Sequence, residues 1–254
     1  MFNISKSLRN LSRSIRTNYH YINNKKISLR HLGYGQLSNE RAVEMKNCLN
    51  QQIDLFKKSN RELFVFLEIG SYLGESLETY GKILSGELNE NYLMISIDPY
   101  GLYLNKSMNK IYMYFINNIS KTKFKNNFTH LRMDSKKGYD LLSKLNIKLD
   151  FCYIDGSHFY KDIKFEIENF NKILVNDTGY NGFVCGDDCE IGYEELIKKV
   201  DKIKLDELFS NIEKHDFIKN FDNQNINFHP GVTLAIKESE LPIKITPSGF
   251  WYKL

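Results

Sequence analysis

Past residue 60 the chain alternates between short apolar runs and amphipathic stretches. Apolar runs fall at Leu63–Ile69, Leu93–Asp98, Phe128–Met133, Leu149–Asp155 and Gly182–Asp187. Each has strand length and is bounded by turn-forming or charged residues. The stretches between them, about 73–86, 105–119, 136–146 and 159–174, repeat apolar residues at helical spacing. Strands that alternate with helices imply βαβ units, a parallel sheet and right-handed crossovers. Upstream, RAVEMKNCLNQQIDLFKKS puts Ala42, Met45, Leu49, Ile53 and Phe56 on one helical face, with Ser38 as the N-cap. Downstream, mixed-charge stretches at about 192–200 and 204–220 predict a solvated helical insertion spanning about 190–228. Val232–Ser239 fits a short helix or a strand, and Ile243–Leu254 fits one terminal strand. The expected organisation is an arm and covering helix over 1–60, then one α/β domain over 61–254.

In such sheets ligands sit beyond the carboxyl ends of the strands, near the point where strand order reverses. Every predicted strand ends there in an acid: Glu68, Asp98, Asp134 with Ser135, Asp155 with His158 three residues on, and Asp187–Asp188. Carboxylates gathered at one rim repel and raise one another's pKa. A bound cation, a cationic ligand or hydroxyl donors must offset that repulsion. Taken singly, each residue also has a plain structural reading: Asp155 as cap of the next helix, Asp187–Asp188 as a solvated turn, His158 as a loop residue.

The first strand runs into LEIGSYLGES, where Gly70 and Gly74 let the backbone turn sharply and approach a ligand. A dinucleotide site would require G-x-G-x-x-G, and the middle glycine is absent. Glu68, placed before the glycines, disfavours phosphate and suits a ligand carrying an ammonium and a sulfonium. Asp98 is positioned to accept hydrogen bonds from ribose hydroxyls. If the fourth and fifth strands are neighbours, ~4.8 Å apart, Asp155 and Asp187 end side by side with Asp188 adjacent. An all-oxygen cluster favours a hard ion such as Mg²⁺. Two vicinal hydroxyls could chelate it, and His158 could take a proton near neutral pH.

The net charge of +4 does not call for nucleic acid, but it is unevenly placed. No acid precedes Glu40, whereas Lys6, Arg9, Arg13, Arg16, Lys25, Lys26 and Arg30 do. Such an arm suits a phosphorylated substrate, a membrane surface or a second copy of the chain as partner. Phe2, Ile4, Leu8, Leu11 and Ile15 could form one apolar stripe, as in a transit peptide or in a helix lying on the domain or a partner subunit. No apolar run reaches the ~18–20 residues of a membrane span. The cysteines Cys48, Cys152, Cys185 and Cys189 make no zinc pattern, which fits a reducing, cytoplasmic setting.

ExGxxxG at Glu68–Gly74, Asp98 after an apolar strand, and the Asp134–Ser135 pair resemble the S-adenosylmethionine signature of class I methyltransferases. YIDGSHFYKDIKFEIENF followed by FVCGDD resembles the metal-dependent sugar O-methyltransferases of the macrocin and mycinamicin type, and HPGV at 229–232 is similar to that group. Catechol-type enzymes share the metal-site logic more distantly. The resemblance covers about 62–190 and implies a Rossmann-like fold with a mostly parallel seven-stranded sheet and helices on both faces. It implies that Glu68, Gly70, Ser71 and Gly74 hold the methionine end of S-adenosylmethionine. It further implies that Asp98 binds the ribose, that Asp134 and Ser135 frame the adenine, and that Asp155 borders the cofactor. Asp155, Asp187 and Asp188 would hold Mg²⁺ or another divalent cation, and His158 would be the base beside Asp155. The implied reaction is methyl transfer to a sugar hydroxyl, on a nucleotide-linked or polysaccharide sugar. Alternatives are a metal-independent small-molecule methyltransferase, a catalytically silent cofactor-binding protein and, less in keeping with the glycine loop, a nicotinamide-dependent oxidoreductase.

Overall fold

The computed structural model describes residues 13–14, 16–32, 39–101 and 106–254. The stripe from Phe2 to Ile15 and the Ser38 cap lie outside the described residues. After a short helix α1 (Leu29–Leu32) comes the covering helix α2 (Asn39–Lys58). The alternation then follows: β1 (Phe64–Ile69), α3 (Glu75–Glu87), β2 (Tyr92–Ile97), α4 (Lys106–Ile119), β3 (Phe128–Leu131), α5 (Ser135–Lys144), β4 (Phe151–Ile154) and α6 (Tyr160–Phe170). A two-residue hairpin, β5 (Asn176–Asp177) and β6 (Tyr180–Asn181), leads into β7 (Phe183–Gly186).

The sheet has seven strands in the order β10-β11-β7-β4-β1-β2-β3, with β10 (Ile243–Ile245) and β11 (Trp251–Lys253) antiparallel at one edge. The expected single terminal strand is thus a hairpin, turned at Gly249 with φ +89°. The tail helix α9 (Pro230–Glu238) resolves the open choice at Val232–Ser239, with Pro230 in the first turn, where its missing N–H costs nothing.

Every residue of β1 is buried because helices cover both faces. Val65, Leu67 and Ile69 point into the cluster of Ile163, Ile167 and Val232. Phe64 and Phe66 point the other way, against Met45, Leu49 and Tyr80. Each such side chain stabilises the fold by about 1.5–3 kcal/mol, so a one-residue slip of β1 is prohibitive. The resulting register aligns Leu131, Ile97, Ile69, Ile154 and Gly186 in one row across five parallel strands.

Strand order reverses between β1 and β4, which is where the loops after Ile69 and Ile154 meet.

The insertion departs from expectation. Its helices α7 (Tyr193–Lys199) and α8 (Lys202–Ser210) end well before 220, and a hairpin of β8 (Ile218–Phe221) and β9 (Ile226–Phe228) follows. Nor is it merely solvated: Ile191, Leu196, Leu205, Leu208 and Phe228 form an apolar cluster of their own. The breaker is FDNQNIN, where Asp222, Asn223 and Asn225 adopt positive φ, which Asn and Asp tolerate best among side-chain-bearing residues.

Candidate active site

The next residues beyond the aligned row are Asp98, Gly70, Asp155 and Asp187. Gly70 has φ +84°, and a Cβ there would lie 2.0 Å from the Asp155 carbonyl oxygen. Only glycine lets the β1 and β4 loops approach this closely. Asp98 locks the glycine loop from the other side: its Oδ2 accepts the Ser71 and Tyr72 N–H groups at 3.0 and 3.1 Å, and its Oδ1 accepts Tyr100 N–H at 2.9 Å.

Two cavities open here, of about 600 and 590 Å³, sharing Gly70, Tyr72, Asp155 and Gly156. The first contains Ser71, Gly74, His158 and Asp188. The second contains Asp98, Asp134, Ser135 and Glu166. Part of the first wall is the arm: Ile27 N–H donates to Asn118 Oδ1 at 2.8 Å, and Asn118 Nδ2 donates to Ile27 O and Leu73 O. Lys26 in this arm pairs with Glu78 at 2.6 Å.

Two acids sit off the expected rim. Glu68 lies one row lower, beside Ser96 and Tyr153, and is fully buried. Burial pushes its carboxyl up to about 8, against the pull of the Ser76 hydroxyl that donates to Oε1, while the Asp98 charge pushes the same way as burial. Its Oε2 has no partner. Asp134 caps α5, accepting Lys137 N–H at 2.9 Å, and its side chain is half exposed.

The expected oxygen cluster of Asp155, Asp187 and Asp188 does not form as such. The ligand atoms that converge, all within 4.8 Å of one another, belong to Asp155, His158 and Asp188. Arg41 faces both aspartates, its Nη1 3.0 Å from Asp187 Oδ1 and 3.3 Å from Asp188 Oδ1. Arg41 Nε donates to Ser248 O at 2.7 Å. Asp188 itself stands at φ +63°. Burial and the Asp188 and Asp187 charges raise Asp155 well above the carboxylate range.

Asp188 goes the other way: His158 outweighs its burial and holds it low. His158 is clamped, Nε2 at 3.0 Å from Asp188 Oδ2 and Nδ1 at 2.9 Å from Asp216 Oδ1. Burial opposes its charge, but the two carboxylates prevail and raise it to about 8.

Arg41 and Asp216 carry no sequence signal of their own, and His229 was marked only through the HPGV motif. The His229 ring centroid lies 4.2 Å from that of His158, the planes tilted by 51°, and Glu190 lies 2.9 Å from His229 Nδ1. The HPGV motif did signal this place: a Cβ on Gly231 would lie 2.2 Å from the His158 carbonyl oxygen, so glycine lets α9 seat against the loop.

Residues 67–189 match a family described as a methyltransferase domain. Over these residues the chain resembles class I, S-adenosylmethionine-dependent methyltransferase domains. Its fold recurs in the O-methyltransferase from Bacillus cereus solved in complex with SAH, 12% identical, TM-score 0.53, covering 95% of this chain and 89% of that one. It recurs also in the calicheamicin methyltransferase CalS11, 13% identical, TM-score 0.50, covering 96% and 91%. No curated protein matches the sequence.

The methyltransferase domain fits its cofactor. The Gly70 cradle would be filled by any Cβ, and the buried Glu68 Oε2 and Ser71 Oγ both await partners. The cavity shared across Gly70 and Asp155 separates an Asp98 side, suited to the nucleoside, from a Gly74 side, suited to the amino acid. Asp155 and Asp188 fit a divalent cation that keeps several waters, as Mg²⁺ does. Among the described residues no helix is long and apolar enough to cross a membrane.

Glu68 supplies a pH prediction for the ligand-free domain. Its folded pKa of about 8 is raised, so its stabilising effect is complete below the ordinary glutamate range and is lost as pH climbs towards 8. Relative to the native protein, Glu68→Gln is expected to gain stability between about pH 4.5 and 8 and to level off above, on the order of a few kcal/mol in total. Paired thermal melts across that range check this; a pH-independent difference rejects it.

Proposed function

We propose that this methyltransferase domain transfers the methyl group of S-adenosylmethionine to a sugar hydroxyl, aided by a divalent cation and by His158. The observation that carries the reading is the convergence of Asp155, His158 and Asp188 at the mouth of the cofactor cavity. Asp155 and Asp188 would hold the cation, which would lower the pKa of a hydroxyl placed against it. A cation on Asp188 would withdraw one of the two charges beside His158 and so would favour a neutral Nε2; His158 is the residue that would take the proton. The acceptor oxygen loses its proton to His158 Nε2 and takes the methyl carbon from sulfur in line, leaving S-adenosylhomocysteine, a methyl ether and a proton. Glu68, Ser71 and Gly74 would hold the methionine end, Asp98 the ribose, and Ser135 with Asp134 the adenine side. Much of the acceleration comes from this positioning.

The DGSH and GDD segments favour a sugar acceptor through their likeness to sugar O-methyltransferases. The basic arm adds a preference for a phosphate-bearing sugar. Calorimetry with S-adenosylmethionine, with and without Mg²⁺, followed by turnover against nucleotide sugars, tests the whole. The expected result is cofactor binding without metal, and turnover that a chelator abolishes and Mg²⁺ restores. Turnover indifferent to chelation sinks the metal role and favours the metal-independent alternative; no binding heat sinks the cofactor reading.

A further inference from the structure

Helix α6 buries an acid on its apolar face. Glu166 is 2% exposed and shares that face with Ile163, Ile167 and Phe170. A carboxyl is among the costliest groups to bury, and one left without a partner is a net loss to the fold. Yet Oε2 of Glu166 has no partner. The side chain lines the Asp98-side cavity, between Ser135 and Asp162. The polar groups around it are already engaged: Asp134 caps α5, and Ser157 Oγ donates to Asp162 Oδ2 at 2.9 Å. A buried, unpartnered carboxyl oxygen on a cavity wall points to a ligand donor that completes it.

We propose that Glu166 reads the 6-amino edge of the cofactor's adenine, accepting its N–H and so selecting an aminopurine nucleoside. The inference rests on the cofactor's nucleoside occupying the Asp98-side cavity. Geometry makes Glu166 the better candidate than Asp134, which the resemblance singled out, because Asp134 is half exposed and spends a carboxylate oxygen on the Lys137 N–H. Burial pushes the Glu166 carboxyl up to about 8, the Ser135 hydroxyl pulling it back and Asp162 adding to the rise. At neutral pH it therefore holds a proton, and a carboxylic acid offers an acceptor and a donor together. That pair matches the amino group and the adjacent ring nitrogen of adenine, as a glutamine amide does.

The test is calorimetry with two ligands, S-adenosylhomocysteine and its 6-deamino analogue, on the native chain, Glu166→Gln, Glu166→Leu and Glu166→Met. The native chain is expected to bind the deamino analogue ~10–100-fold more weakly, because the analogue leaves a buried acceptor unpaired. Glu166→Gln keeps that preference. Glu166→Leu and Glu166→Met bind S-adenosylhomocysteine ~10–100-fold more weakly and no longer distinguish the two ligands. Equal binding of both ligands by the native chain overturns the assignment. So does a preference that survives in whichever apolar variant folds. Failure of the native chain to bind S-adenosylhomocysteine at all overturns the cofactor reading itself, a result distinct from either of these.

Discussion

Gly70→Ala is expected to lower the melting temperature by roughly 6–12 °C and to weaken S-adenosylhomocysteine binding more than tenfold. Two costs add. At φ +84° an alanine sits in the left-handed region, a penalty of about 1–2 kcal/mol. Its Cβ would also lie 2.0 Å from the Asp155 carbonyl oxygen, so the β1 and β4 loops must part, which costs about 1–3 kcal/mol. Together these reach roughly 3 kcal/mol, and a domain of this size loses about 2–4 °C per kcal/mol. The binding loss follows because the parted loops are the wall common to both cavities. Melting curves and calorimetry on the same preparations measure both effects. A variant that melts within a degree of the native chain contradicts the close approach of the two loops.

His158→Ala is expected to cut kcat by about 10²–10⁴-fold while leaving S-adenosylhomocysteine affinity within about threefold. The imidazole is held at both nitrogens, by Asp188 at 3.0 Å and Asp216 at 2.9 Å, at the edge of the cofactor cavity rather than inside the nucleoside side. In the proposed role a base fixed in this way would act on the acceptor and contribute little to cofactor binding. Single-turnover rates separate the chemical step from binding. If kcat survives the substitution, the proton goes elsewhere and Asp155 becomes the first candidate to receive it.

The parts of this architecture written most plainly in the sequence are those that burial writes. A strand covered on both faces becomes an unbroken apolar run, so β1, β2, β4 and β7, and the acids just past the last three, were legible to within a residue or two. Asp187 and Asp188 were not separable, since neighbouring aspartates look equivalent until the fold places one of them, Asp188, against His158 while both face Arg41. Arg41 reads as an ordinary exposed position on an amphipathic helix, and only the packing of α2 against the 248–249 turn brings it to the rim. The sequence did demand some positive charge to offset the clustered carboxylates; part of that charge turns out to be internal, from Arg41 and His158. Asp216 was hidden more deeply, in a segment read as a solvated helix. The edge hairpin, by contrast, had a visible signal in TPSG that the terminal apolar run obscured. Glu68 misled because strand ends were counted along the chain, while side-chain depth follows the register, which sets it one row below the rim.

The insertion's private apolar cluster bears on how such a protein can change over time. Ile191, Leu196, Leu205, Leu208 and Phe228 pack on one another, whereas the cofactor loops rest on the main sheet. Substitutions inside 191–228 are therefore paid for locally, and the segment is able to drift, or be exchanged as a block, while the nucleoside cavity stays intact. Polar ties still cross to the rest of the chain: Asp216 bonds His158 Nδ1, Glu213 Oε1 accepts the Lys161 N–H, and the Ile191 carbonyl accepts the Thr233 hydroxyl. Selection on acceptor choice would leave those anchors in place and rewrite the surface around them.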